Sequence, residues 1–159
     1  MVPTRLVRLS VVAASIALFL LALYLDAVQF IENPGTASAQ IITHAGGTML
    51  FFSLAGPLKG NFAFFANPCM LVGWIMVLAQ KYRGAAICFI LAFLFALETF
   101  QLRGQALSVD EGGMNFFFFT HPIVGWYVWV LAIFFPFAAA VYFKWFAPKL
   151  PPAPVPTSA

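Results

Sequence analysis

The reading of this chain turns on Asn67–Leu102, NPCMLVGWIMVLAQKYRGAAICFILAFLFALETFQL, in which two apolar runs fold back about the basic turn Lys81-Tyr82-Arg83-Gly84. Each run is far more hydrophobic than a soluble helix needs, so together they read as a membrane-spanning hairpin with its cations at the turn. Asn67-Pro68 has the form of a helix start, because Asn can cap free amides and Pro fits the first helical position, where no amide partner is lost. Counted from Pro68 to Gln80, however, the helix reaches only ~20 Å at 1.5 Å per residue, short of a hydrocarbon core of ~30 Å. The span is therefore extended back to Phe62, with a kink expected at Asn67 and Pro68.

Composition agrees with this reading. The 159 residues are 63% hydrophobic and 8% charged, with a mean hydropathy of +0.95, whereas an ordinary soluble domain carries about 25% charged residues. The chain is long enough for about four spanning helices of ~20 residues and no separate soluble domain. The net charge of +3 does not point to nucleic acid, because the Lys and Arg residues sit beside apolar segments, as positive-inside retention requires. Cys69 and Cys88 fall at different depths of the hairpin, so two free buried thiols are expected.

Upstream, Arg5 and Arg8 precede an apolar stretch from Leu9 to Leu25 closed by Asp26. It resembles a first transmembrane helix or a signal peptide. The small-x-small triplet Ala37-Ser38-Ala39 lies too far beyond the apolar run for an ordinary cleavage site, so an uncleaved anchor is expected. A polar turn follows over residues 29–40, centred on Asn33-Pro34-Gly35. Residues 41–58 are apolar yet hold His44 and Gly46-Gly47. Reading them as a full span would put Lys81 and Arg83 on the side of Asp26 and Glu32, so a re-entrant or interfacial helix on the outer side is expected instead.

Downstream of the hairpin, Ala92 and Ala96 offer a small-residue face for close helix contact. A polar loop with Asp110-Glu111-Gly112-Gly113 leads to the aromatic run Phe116–Phe119, suited to the membrane interface, and His121-Pro122 opens the last helix. Trp126, Tyr127 and Trp129 read as an outer aromatic belt. Pro136 removes a backbone hydrogen bond and should kink that helix. Lys144, Trp145 and Lys149 mark its inner end, and Pro148, Pro151, Pro152, Pro154 and Pro156 make the remainder a polyproline-like tail.

The expected fold is thus an all-α four-helix membrane bundle, residues 1–147, with spans over about 9–28, 62–80, 85–102 and 122–143, an outer re-entrant or interfacial helix over 41–58, and a cytoplasmic proline-rich tail over 148–159. Arg5, Arg8, Lys81, Arg83, Lys144 and Lys149 fall inside with no acid among them, which puts both termini in the cytoplasm of a bacterial inner membrane.

No phosphate loop, nucleophile elbow or His-Glu-x-x-His is present, so no enzymatic activity is read. Glu98 is the most informative side chain. A carboxylate near hydrocarbon costs several kcal/mol if unpaired, so it should face the bundle interior, be protonated or pair with a cation, for which Arg103, Lys59, His44 and His121 are candidates. A structural pairing outweighs a proton relay. His44 and His121, both expected on the outer side, permit a bis-histidine haem or a metal site, although zinc wants three or four ligands and haem ligands usually sit within spanning helices. The leading expectation is a non-enzymatic accessory or assembly subunit that needs no cofactor, surrounded by lipid and by other membrane subunits or copies of itself. A small oligomeric transporter or channel with Glu98 in a polar path is the alternative, and a haem- or pigment-binding electron-transfer subunit is a third.

Overall fold

A computed structural model describes residues 3–54, 57, 61–103, 106–108 and 116–147. The tail 148–159, Lys59, Asp110, Glu111, Gly112 and Gly113 lie outside the described residues. The protein is mostly helical: α1 (Arg5–Tyr24), α2 (Gly46–Ser53), α3 (Ala66–Leu78), α4 (Tyr82–Leu97) and α5 (Val124–Val141). Short turns of 3-10 or π type extend three of these helices. A 3-10 turn, Ala63–Phe65, leads into α3, another, Glu98–Leu102, follows α4, and a π turn, Tyr142–Phe146, follows α5. With these additions, three helices are long and apolar enough to cross a membrane: Arg5–Tyr24, Tyr82–Leu102 and Val124–Phe146. Ala63–Leu78 is apolar but shorter.

The helices meet along seams of small residues. In α3 the buried positions are Ala66, Met70, Gly73, Trp74 and Val77, and in α4 they include Ala85, Phe89, Ala92 and Ala96. This three- and four-residue spacing draws a narrow stripe down one side of each helix. Gly73 lets the Phe89 ring lie against the α3 backbone, where a Cβ would stand 2.7 Å from ring atoms. The expected close face at Ala92 and Ala96 is present, both being fully buried. Large apolar side chains point the other way: Leu20, Leu71, Ile75, Ile87, Leu94, Leu131 and Phe134 are all exposed. A soluble bundle has the opposite arrangement, with its large aliphatics inside.

One polar network runs through the small-residue seam. Pro136 has no N–H, so the carbonyl of Ala132 four residues earlier lacks its helical donor. Ser15 Oγ supplies one from α1, donating to the Ala132 oxygen at 2.6 Å, and in turn accepts Trp74 Nε1–H from α3 at 2.8 Å. Three helices are tied together where one of them loses a backbone bond, and Ser15, Ala132 and Pro136 are all buried.

The hairpin turn differs from the sequence expectation. It is formed by Ala79-Gln80-Lys81, with α4 already begun at Tyr82. Gln80 takes the left-handed conformation, φ 62°, that glycine usually supplies. Lys81 N–H donates to Met76 O and Gln80 N–H to Val77 O, the paired bonds of a Schellman cap. The next orphan carbonyl, Leu78 O, accepts Arg8 Nη1–H at 2.6 Å. Gly84 is therefore inside the helix, and a Cβ there would run into the flexible Met76 thioether.

The all-α expectation is corrected by a four-stranded antiparallel sheet in the order β2-β1-β4-β3, built from β1 (Asp26–Glu32), β2 (Gln40–Ala45), β3 (Ala106–Ser108) and β4 (Phe116–Pro122). The 41–58 helix shrinks to Gly46–Ser53, because Ile41, Ile42 and Thr43 are β-branched and pair with Ile31, Phe30 and Gln29. The polar turn contracts to the residues between β1 and β2, with Asn33 (φ 47°) and Gly35 (φ 83°) in left-handed conformations. Likewise the aromatic run Phe116–Phe119 belongs to a strand, and the last helix starts at Val124, beyond Pro122. Arg8 lies within α1, whose first turn is capped by Thr4 Oγ1 accepting from Val7 N–H.

Helix polarity gathers most of the described cations at one end, with Arg103 an exception beside the Glu98 turn. Arg8 meets the end of α3, and Tyr82 at the start of α4 packs its ring on Phe143 at the end of α5. Arg5, Arg8, Lys81, Arg83 and Lys144 consequently share one end of the bundle. The sheet, with Asp26 and Glu32, and the 3-10 turn carrying Glu98 occupy the other.

Candidate functional site

Glu98 sits where the sequence places it, at the end of α4, and the partner of its carboxylate among the described residues is a backbone amide. Its Oε2 accepts the Phe62 backbone N–H at 2.8 Å, and its own carbonyl accepts Asn61 Nδ2–H at 3.0 Å. Asn61 is buried, and its Oδ1 accepts Ala63 N–H at 3.1 Å. Glu98 and Asn61 thus fill the orphan amides at the start of the Ala63–Leu78 helix and hold it against the end of α4. A carboxylate at a helix N-terminus also faces the positive end of the macrodipole.

Asn67 and Pro68 are correspondingly not the helix start. The α-helix begins at Ala66 without a side-chain cap, and the 3-10 turn ahead of it carries the chain back to Ala63. Asn67 Oδ1 instead accepts Trp129 Nε1–H at 3.1 Å, linking α3 to α5. Pro68 remains within the first turn, where a missing N–H leaves no helical bond unmade. Pro136 lies inside α5 as expected, with Ser15 making up for the lost donor.

Arg103 is exposed just beyond the 3-10 turn and makes no bond to Glu98. The two histidines are separated by the sheet. His44 lies across from Val28 on β2, and His121 lies across from Gln29 on β4. Consecutive strand residues face opposite sides, so His44 shares the face of Val28 and Phe30 while His121 takes the other. The His44 ring packs on Phe30 and Phe117 with centroids 5.6 and 5.7 Å away, and His121 is exposed. Two imidazoles on opposite faces cannot clamp one haem iron. Among the described residues there is no group of three or more His, Cys, Asp and Glu side chains able to hold a metal ion.

The polar residues that do most here, Ser15, Asn61 and Arg8, carry weak sequence signals. Ser15 is one of two serines in an apolar run, and only its offsets of three from Val12, four from Phe19 and seven from Arg8 mark the inward face. Asn61 looks like loop. A conservative test of this corner follows from its geometry. Glu98→Gln keeps an acceptor oxygen for Phe62 and is expected to change thermal stability in detergent by under ~1 kcal/mol, whereas Glu98→Ala should cost about 1–2 kcal/mol. Equal losses in Glu98→Gln and Glu98→Ala would mean that the charge, not the cap, matters.

Comparison with known protein families, with characterised proteins and with solved structures finds no match for this chain.

Proposed function

We propose that this chain is a multi-pass protein of a bacterial inner membrane, with cytoplasmic termini and a non-enzymatic role as an accessory or assembly subunit of a larger membrane complex. The observation that carries this reading is the packing of the helices: small residues, Ala66, Ala85, Ala92, Ala96, Ala132 and Ala140, buried at the contacts, and many large aliphatics outside. In lipid there is no hydrophobic drive to hide Leu and Ile, and close contact between small residues is what holds helices together. The gathering of Arg5, Arg8, Lys81, Arg83 and Lys144 at one end, away from Asp26, Glu32 and Glu98, supports the orientation. Ala63–Leu78, at ~25 Å, is read as the fourth span, its small deficit met by local thinning of the bilayer.

A transport role needs polar groups left free along a path. Here Ser15, Trp74, Asn67, Trp129, Asn61 and Glu98 are tied into bonds between elements. Such bonds support a scaffold whose outer faces are available to other helices. The test is purification of the tagged full-length protein in a mild detergent, with a visible spectrum and mass spectrometry of what elutes with it. Membrane proteins in fixed stoichiometry and no Soret band are expected. A homo-oligomer eluting alone would overturn the accessory reading.

A further inference from the structure

Arg8 is the anomaly of the basic end. Its side chain is 9% exposed, and no carboxylate among the described residues pairs with it. One of its nitrogens, Nη1, caps Leu78 O, while Nε is buried with no hydrogen-bond partner among the described residues. The described acids are remote: Asp26 lies beyond the far end of α1, about 27 Å away along an axis rising 1.5 Å per residue, and Glu98 is at the far end of α4. A buried guanidinium without a counter-charge is costly, and a neutral carbonyl offsets only part of that cost. Beside it lies a cavity of about 240 Å³ lined by Arg5, Arg8, Leu9 and Leu78. At ~30 Å³ per water this is room for several waters, and so for a phosphate group. The hydroxyl of nearby Tyr82 is also buried without a partner among the described residues.

We propose that this cavity is an anion site that takes a phosphate group, with Arg8 as its fixed floor and Arg5 as its exposed, mobile second donor. Planar guanidinium donors suit phosphate oxygens, and the positive end of the α1 dipole lies in the same region. Leu9 and Leu78 leave an apolar wall that the glycerol and first methylenes of a phospholipid can lie against. The lipid source rests on the membrane location proposed above, whereas the phosphate chemistry of the cavity does not.

The experiment uses the full-length protein purified in an uncharged detergent and delipidated. Thermal unfolding is followed with phosphatidylglycerol, with phosphatidylcholine, and with inorganic phosphate, in wild type and in Arg5→Gln. Arg5→Gln leaves the Arg8 cap on α3 in place, so a folding defect does not mask the result. A saturable rise in Tm with phosphatidylglycerol but not phosphatidylcholine, with the midpoint shifted roughly fivefold in Arg5→Gln, supports a phospholipid headgroup. The same rise with inorganic phosphate alone supports the site with a free anion as its source. No rise with either anion, or a rise unchanged in Arg5→Gln, overturns the proposal. Membrane location is judged separately, by whether the expressed wild type sediments with membranes and resists carbonate extraction.

Discussion

Ser15→Ala is expected to destabilise the protein by about 2–3 kcal/mol, read as unfolding in mixed detergent micelles. The hydroxyl stands between two buried groups, Trp74 Nε1–H and Ala132 O, at 2.8 and 2.6 Å. Removing it strands both. Interhelical hydrogen bonds in membranes average only ~0.6 kcal/mol, rising to ~1.7 in the strongest cases. The larger figure is expected here because a buried orphan donor and a buried orphan acceptor are created together, each at a cost of ~1–3 kcal/mol. Trp74→Phe removes only the donor and leaves the bond from Ser15 to Ala132 intact, so it should cost less on the polar side.

The origin of the network can be tested by a double-mutant cycle. Ala132 O is open to Ser15 because residue 136 is a proline. In a Pro136→Ala background the helix regains its own donor to that carbonyl, and Ser15→Ala should then cost about 1 kcal/mol less than in the native background. Equal costs in the two backgrounds would show that the serine bond does not compensate for the proline. In either background, Pro136→Ala also loses ring packing, but that loss cancels in the cycle.

How much of this was legible beforehand depends on whether the signal was local. The long apolar helices were legible, because twenty residues of Leu, Ile, Phe and Ala between charges leave few alternatives. The close faces at Ala92 and Ala96 followed from spacing alone. The sheet was not, although Val28-Gln29-Phe30 alternates and Ile41-Ile42-Thr43 is β-branched. Those residues flank spans, where an interfacial helix and an aromatic belt account for the same composition, and strand pairing between residues 28 and 122 is visible only in three dimensions. Caps failed for a similar reason. Asn61 and Asn67 are equally good candidates by residue type. The choice between them was made by Glu98, distant in sequence, which fixes the amide at Phe62 and so moves the helix start upstream. Glu98 reads from sequence as a residue that must face inward, be protonated or be paired, and among the described residues its carboxylate is paired with a backbone amide, a partner that residue types alone do not reveal.

The same separation of local from tertiary causes sets the second large effect, at Gly125. This residue lies in the first turn of α5, where the chain leaves β4 and comes up against the junction of α1 and β1. Ile123 N–H donates to Ala27 O at 2.8 Å, and Gly46 N–H donates to Leu25 O at 2.9 Å, so two crossings converge on one short backbone segment. A Cβ on Gly125 would stand 2.7 Å from the carbonyl oxygens of both Leu25 and Asp26, and a Cβ on Gly46 would collide with the Ala22 carbonyl. Backbone cannot swing aside as a side chain does. Gly125→Ala is therefore expected to cost about 2–4 kcal/mol, above the usual 1–3 kcal/mol of overpacking, because moving either element breaks the bonds that seat the sheet on the helices. Gly46→Ala should behave alike. Gly35→Ala is the control, since nothing lies within 4 Å and only its φ of +83° resists a side chain, a cost of about 1–2 kcal/mol. Unfolding midpoints, together with the protease sensitivity of the segment joining β1 and β2, separate the two kinds of loss. Strain at Gly35 should lower the midpoint slightly with the sheet still protected, while Gly125→Ala should expose the sheet before the helices unfold. If Gly125→Ala proved no worse than Gly35→Ala, the sheet would have to be free to shift on the helix ends, and the convergence at Leu25 would not be what seats it.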